Sequence, residues 1–76
     1  MQDKIIKDIQ DFTDDLSVNI STSLEKDLRL DSMGVIELIL MLEDKYDVEF
    51  EESTIESIHT VEEIVKYISS YDRSKI

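Results

Sequence analysis

The 76-residue sequence has no cysteine, no proline, one glycine, one histidine, and only eight basic residues against 19 acidic ones. Without cysteine there is neither a disulfide staple nor a thiolate metal site, which suits a reducing compartment. The opening residues Met1-Gln2-Asp3-Lys4-Ile5-Ile6 lack the basic start and apolar run of a secretory signal, and no later run approaches the length of a bilayer span. A cytoplasmic location without membrane insertion is therefore expected. A net charge of −11 repels phosphates and excludes nucleic acid as a ligand. The lone histidine, His59, stands beside Thr60 and reads as a loop residue, not a catalytic base.

What is present is acid, and it is concentrated. Residues 37 to 63 hold ten acids and one base, so −9 of the −11 lies there. Such a field steers basic partners toward the chain, at a cost in self-repulsion. The acids do not form a calcium loop: an EF-hand started at Asp47 needs glycine at its sixth position and glutamate at its twelfth, where this sequence has Glu52 and Ile58. They also show no convergent pair of the kind that catalysis uses.

Hydrophobic spacing predicts four helical segments. The first runs over residues 3 to 16 and buries Ile5, Ile6, Ile9, Phe12 and Leu16, with Asp8 elsewhere and fraying near Asp14-Asp15. A long loop follows, pinned by Val18, Ile20, Leu24, Leu28 and Leu30, with a short turn at Ser23-Leu24-Glu25-Lys26. The second helix starts after Asp31, a good N-cap, and places Ser32 at its first position with the hydroxyl near solvent. The connector Asp47-Val48-Glu49-Phe50 turns Val48 and Phe50 inward, and a short third helix around residues 51 to 58 carries Ile55 and Ile58 one turn apart. Thr60-Val61-Glu62-Glu63 is a capping box, so the last helix begins at about Val61, buries Val61, Ile64, Val65 and Ile68, and stops near Ser69-Ser70. Residues 71 to 76 read as a loose tail. The fold class is a small all-α four-helix bundle, one domain over residues 1–76.

The second helix carries two apolar stripes. Val35, Leu38, Ile39, Leu42 and Tyr46 follow the spacing of a face packed into a core, while Met33, Ile36 and Leu40 fall on the opposite side among Glu37 and Asp44. A small domain buries one stripe, so the other is expected to stay exposed beside Ser32 as a docking surface. Ser32 has no neighbouring lysine or histidine to take its proton, so it is not a self-activated nucleophile and must be modified by something else. A phosphate on its hydroxyl would sit where the helix dipole favours it.

Asp31-Ser32-Met33 ahead of an apolar and acidic helix, in a small acidic chain, resembles the Asp-Ser-Leu site of the acyl carrier proteins. The likeness extends from Leu24-Glu25-Lys26-Asp27-Leu28 through Glu37-Leu38 to the last helix. It implies a four-helix carrier fold with a long first loop and a short third helix. It assigns Ser32 a covalent 4′-phosphopantetheine arm, whose thiol carries cargo as a thioester, with Asp31 as the cap beside it. It implies a phosphopantetheinyl transferase and basic-surfaced acyl-transferring or synthase enzymes as partners of a monomeric, non-catalytic carrier. Met33, Ile36, Glu37, Leu40, Glu43, Asp44 and Glu52 match partner-facing positions. Leu38, Leu42, Phe50, Ile55, Ile58 and Ile64 match core positions that part for an acyl chain.

Two residues depart from the pattern. Arg29 stands where many members have glycine; a positive φ there would strain it, and its cation lies near Asp27, Asp31 and any added phosphate. Gly34 replaces the acid usual in fatty-acid carriers, which removes a charge and weakens the first turn. Ile58-His59-Thr60-Val61-Glu62-Glu63-Ile64 looks like the fatty-acid type, whereas Met33-Gly34 is similar to carriers of D-alanine used in teichoic acid modification. Fatty acid biosynthesis is the expected pathway. A carrier of D-alanine, another amino acid or a polyketide is the alternative, and an acidic adaptor without prosthetic group lies outside the class.

Overall fold

The computed structural model describes residues 2–71. Helix α1 spans Gln2–Thr13, α2 Ser32–Tyr46, α3 Glu52–Ser57 and α4 Val61–Ser70. Among the described residues there is no strand, only an isolated antiparallel bridge between Ser23 and Thr60. One core collects Ile5 and Ile9 from α1, Val35, Leu38, Ile39 and Leu42 from α2, and Val61, Ile64, Val65 and Ile68 from α4. Loop residues Val18, Leu24, Val48, Phe50 and Ile58 close it. Each such side chain, taken out of water, contributes about 1.5–3 kcal/mol.

Helix α1 ends three residues earlier than its apolar spacing predicts. Asp14 turns left-handed at φ 54°, and the Asp15 amide reaches back to the Gln10 carbonyl at 3.1 Å, which closes the helix end. The stripe is broken before Leu16, which is 86% exposed, and Phe12 is half out at 38%. Neither belongs to the core that the sequence assigns them to. The expected fraying is replaced by a fixed turn, in which the Asp15 carboxylate accepts from both the amide and the hydroxyl of Ser17. Those two bonds hold the Asp15 carboxyl below its ordinary range.

Asp8, expected on the outer side of α1, is instead buried. Lys45 Nζ lies 2.8 Å from one of its carboxylate oxygens and the Tyr46 hydroxyl donates to the other. Burial pushes the Asp8 carboxyl up, but the bonds from Lys45 and Tyr46 outweigh it and leave the group below its ordinary value. In return, Asp8 raises Lys45, and burial together with Asp8 raises Tyr46. The far end of α2 is thus tied to the middle of α1 by a charged, satisfied cluster.

The long loop is strapped to the junction before α4. Leu24 donates its amide to the His59 carbonyl at 2.9 Å, Val61 to Thr22 at 3.1 Å and Glu62 to Ile20 at 3.0 Å. Within it, Ser23 starts the expected turn: its hydroxyl accepts from the Lys26 amide, and its own amide donates to Asp27. Helix α3 buries no residue of its own. It hangs between two fixed points, Phe50, whose amide donates to Glu43 Oε2 at 2.6 Å, and Ile58, which is buried. The Tyr67 ring stacks on Phe50 at 4.2 Å while its hydroxyl donates to the Glu49 carbonyl. Tyr71, read as the first residue of a loose tail, packs against the core and lies 6.1 Å from the Tyr67 ring. The rest of that tail, residues 72–76, lies outside the described residues.

Candidate functional site

Asp31 is the N-cap of α2, with φ −85° and ψ −177°, and its Oδ1 accepts from the Gly34 amide at 2.7 Å. One of the free amides of the first turn is thereby satisfied. Ser32 is the first residue of the helix and is exposed. Its hydroxyl makes no hydrogen bond among the described residues. The serine is available at a helix start where the backbone favours a phosphate, while the capping is done by its neighbour.

Gly34 has a packing reason. A Cβ placed there would meet Leu30 Cδ2 at 3.2 Å and the capping Asp31 Oδ1 at 3.3 Å. The missing side chain lets Leu30 and the cap close onto the first turn. Arg29 does adopt a positive φ of 55°, so the chain reverses there on a non-glycine residue before presenting Asp31 and Ser32.

Beside Ser32 opens a cleft of about 540 Å³. Val35 and Ile36 of α2 and Ile55 and Ile58 of the α3 segment form its apolar wall. Asp31, Ser32, Glu25, Glu52, Glu56 and His59 complete it. Of the six residues matched to a parting core, Ile55 and Ile58 reach this cleft. Leu38, Leu42, Phe50 and Ile64 lie in the closed core and do not line it. Val35, Glu25, Glu56 and His59 were missed by pattern reading. Val35 stands one turn from Ser32 and Glu56 follows Ile55 on α3, whereas Glu25 and His59 are brought there by the strapped loop.

The outer side of α2 is open along its length. Met33 is 62% exposed, Leu40 56% and Ile36 39%, with Glu37 and Asp44 exposed among them. Glu43 differs from its expected place on this outer side. It is half-buried, because its carboxylate is spent on the Phe50 amide and braces the α2–α3 connector. Glu52, in the first turn of α3, is exposed and borders the cleft.

A family model described as the phosphopantetheine attachment site matches residues 3–68. The chain is 36% identical over 56 residues to an acyl carrier protein of Campylobacter lari, covering 74% of this chain and 73% of that protein. It is 32% identical over 59 residues to an acyl carrier protein of Campylobacter hominis, covering 78% and 75% respectively. A solved structure from Mycobacterium tuberculosis, described as an acyl carrier protein, superposes with a TM-score of 0.81 at 26% identity, over 90% of this chain and 93% of that one. Helix order, the exposed serine and these matches define a carrier whose prosthetic group is covalently attached 4′-phosphopantetheine. The chain belongs to the acyl carrier protein family.

Proposed function

We propose that Ser32 is the attachment residue, and that residues 1–76 act as one carrier domain for acyl groups in fatty acid biosynthesis. The observation that carries this reading is the exposed, unpartnered Ser32 hydroxyl at the first position of α2, opening onto a cleft with an apolar wall. These residues fit the group: the hydroxyl can take a phosphodiester, Asp31 keeps the helix start closed without using it, and the cleft can take an apolar chain. When bound, the arm supplies a thiol that holds cargo as a thioester.

The chain's own residues position and present. Val35, Ile36, Ile55 and Ile58 shelter cargo from water, while Met33, Ile36 and Leu40 offer an apolar dock and Glu37, Asp44 and Glu52 attract basic partners. A phosphopantetheinyl transferase and basic-surfaced acyl-handling enzymes are the partners this surface suits, met by a cytoplasmic monomer. No lysine or histidine flanks Ser32 in the chain and its hydroxyl donates to no base among the described residues, which supports a non-catalytic role. Gly34 after Met33 supports a second reading, a D-alanyl or other aminoacyl carrier.

Intact mass after incubation with coenzyme A and a phosphopantetheinyl transferase tests attachment, and a gain of one arm on Ser32 is expected. An unchanged mass, with a control carrier modified in parallel, leaves only the plain adaptor. Loading of the holo form by a malonyl or acyl transferase, set against ATP-dependent loading of D-alanine, then decides the cargo.

A further inference from the structure

The turn that presents Ser32 is built on a residue its backbone does not favour. Arg29 holds a φ of 55°, a left-handed conformation that glycine adopts without cost and a residue bearing a Cβ does not. The turn is held from both sides, since Leu28 and Leu30 pack against the core and the Leu30 amide donates to the Leu24 carbonyl at 3.0 Å. The Arg29 side chain returns nothing to the fold. It is exposed, and among the described residues its guanidinium makes no hydrogen bond and no ion pair. Its acidic neighbours in the chain are committed to backbone amides, Asp27 to that of Ser23 at 2.8 Å and Asp31 to that of Gly34 at 2.7 Å. A strained residue whose side chain adds no stability points to a function for that side chain. From residue 27 to residue 63 the only other lysine or arginine is Lys45, which is spent on Asp8. The cation left uncommitted in this acidic stretch therefore stands three residues before the serine.

We propose that the Arg29 guanidinium is the counter-ion of the arm's phosphodiester and holds the root of the arm against the chain. This rests on the attachment reading for Ser32 and adds a residue to it. A phosphodiester on Ser32 places one more negative charge beside the Asp31 carboxylate, in a chain already at −11, and a nearby cation offsets that repulsion. Three residues of chain separate Cα atoms by at most about 11 Å, and the long arginine stem shortens the gap to a group on the serine. Its planar fork of N–H donors matches two phosphate oxygens. Arg29 does not line the cleft, so its reach bears on the root of the arm and not on the cargo. It is a positioning residue and takes no part in forming the bond to Ser32. An exposed pair of this kind favours the held arm over the free one by up to about fivefold, and salt weakens it.

The test uses the full chain before and after incubation with coenzyme A and a phosphopantetheinyl transferase, with attachment to Ser32 confirmed by mass. Nuclear magnetic resonance reads Arg29 through its Nε–H signal and the arm through its phosphorus signal. Attachment is expected to shift the Arg29 signal and to slow exchange of that hydrogen with water by up to about fivefold at low salt, with both effects fading at high salt. Arg29→Gln, which keeps the strained backbone and loses the charge, should move the phosphorus signal, and Arg29→Lys, which keeps the charge without the fork, should fall between. Arg29→Gly should match the phosphorus signal of Arg29→Gln while raising the melting temperature before attachment, since it relieves the backbone. An Arg29 signal that attachment leaves unchanged, or a phosphorus signal that is the same in the unmodified chain and in Arg29→Gln, overturns the pairing and leaves Arg29 a solvated surface charge. Failure to gain the arm at all overturns the carrier reading instead, so the two failures are distinguishable.

Discussion

At the start of α4, Thr60 and Glu63 close on each other: the Thr60 hydroxyl accepts from the Glu63 amide, and Glu63 Oε1 accepts from the amides of His59 and Thr60. At the start of α2, Asp31 alone bonds the Gly34 amide, and the next residue is a serine with a spare hydroxyl. Both ends solve the same problem of unpaired first-turn amides. The α4 end spends both side chains of its capping box on the helix start and serves stability. The α2 end holds one polar group back, and that reserve suits it to the attachment proposed for Ser32.

The largest expected effect that would break this contrast is at Ser32. Ser32→Ala should abolish the mass gain with coenzyme A and transferase while circular dichroism and melting stay close to the unmodified chain, since Asp31 still caps the helix. Loss of the fold would show that the hydroxyl was spent on structure after all. Next, Thr60→Ala should cost about 1 kcal/mol in chemical denaturation and leave arm attachment intact. Asp31→Ala should cost a similar ~1 kcal/mol and also slow attachment. Equal attachment rates in the two variants would dissolve the distinction between the two helix starts.

A pH series sharpens it further. Backbone bonds from His59 and Thr60 outweigh partial burial and hold the Glu63 carboxyl below its ordinary value. A carboxyl lowered in the folded state stabilises above its unfolded pKa of about 4.3, and that contribution is lost as pH falls through the folded value. Glu63→Gln should therefore be less stable than the unmodified chain at neutral pH, by less than the Thr60 change, and the gap should narrow below about pH 4. A gap independent of pH would assign the effect to packing. The smallest expected effect is at Gly34. Alanine there gains helix propensity of ~1 kcal/mol but presses on Leu30 and Asp31 at 3.2 and 3.3 Å. The net change should stay under about 0.5 kcal/mol, and a clear gain would show that Leu30 yields freely.

The parts of the fold that the sequence disclosed are those decided within one turn of chain. The Asp31 cap, the Thr60–Glu63 box, the two-sided apolar pattern of α2 and the inward Val48 and Phe50 all follow from local spacing. What escaped it depends on distant partners. Asp8 sits one turn from Ile5 on the buried side, yet nothing in the sequence of α1 tells that Lys45 and Tyr46 will meet it there. Leu16 keeps the helical spacing but lies beyond a left-handed aspartate, which propensity does not announce at a non-glycine residue. The cleft was least legible for the same reason: Glu25 and His59 come together only because backbone bonds lash the loop to the α4 junction.

The buried Asp8 cluster has a mechanical corollary. It anchors α2 at the Lys45–Tyr46 end, while the opposite end near Ser32 borders open space and a short α3 without buried side chains of its own. A partner that grips Met33 or Ile36, as proposed, would pull on a helix held at its far end by Asp8 and along its inner side by Val35, Leu38 and Ile39, so that the neighbour with least to hold it is α3.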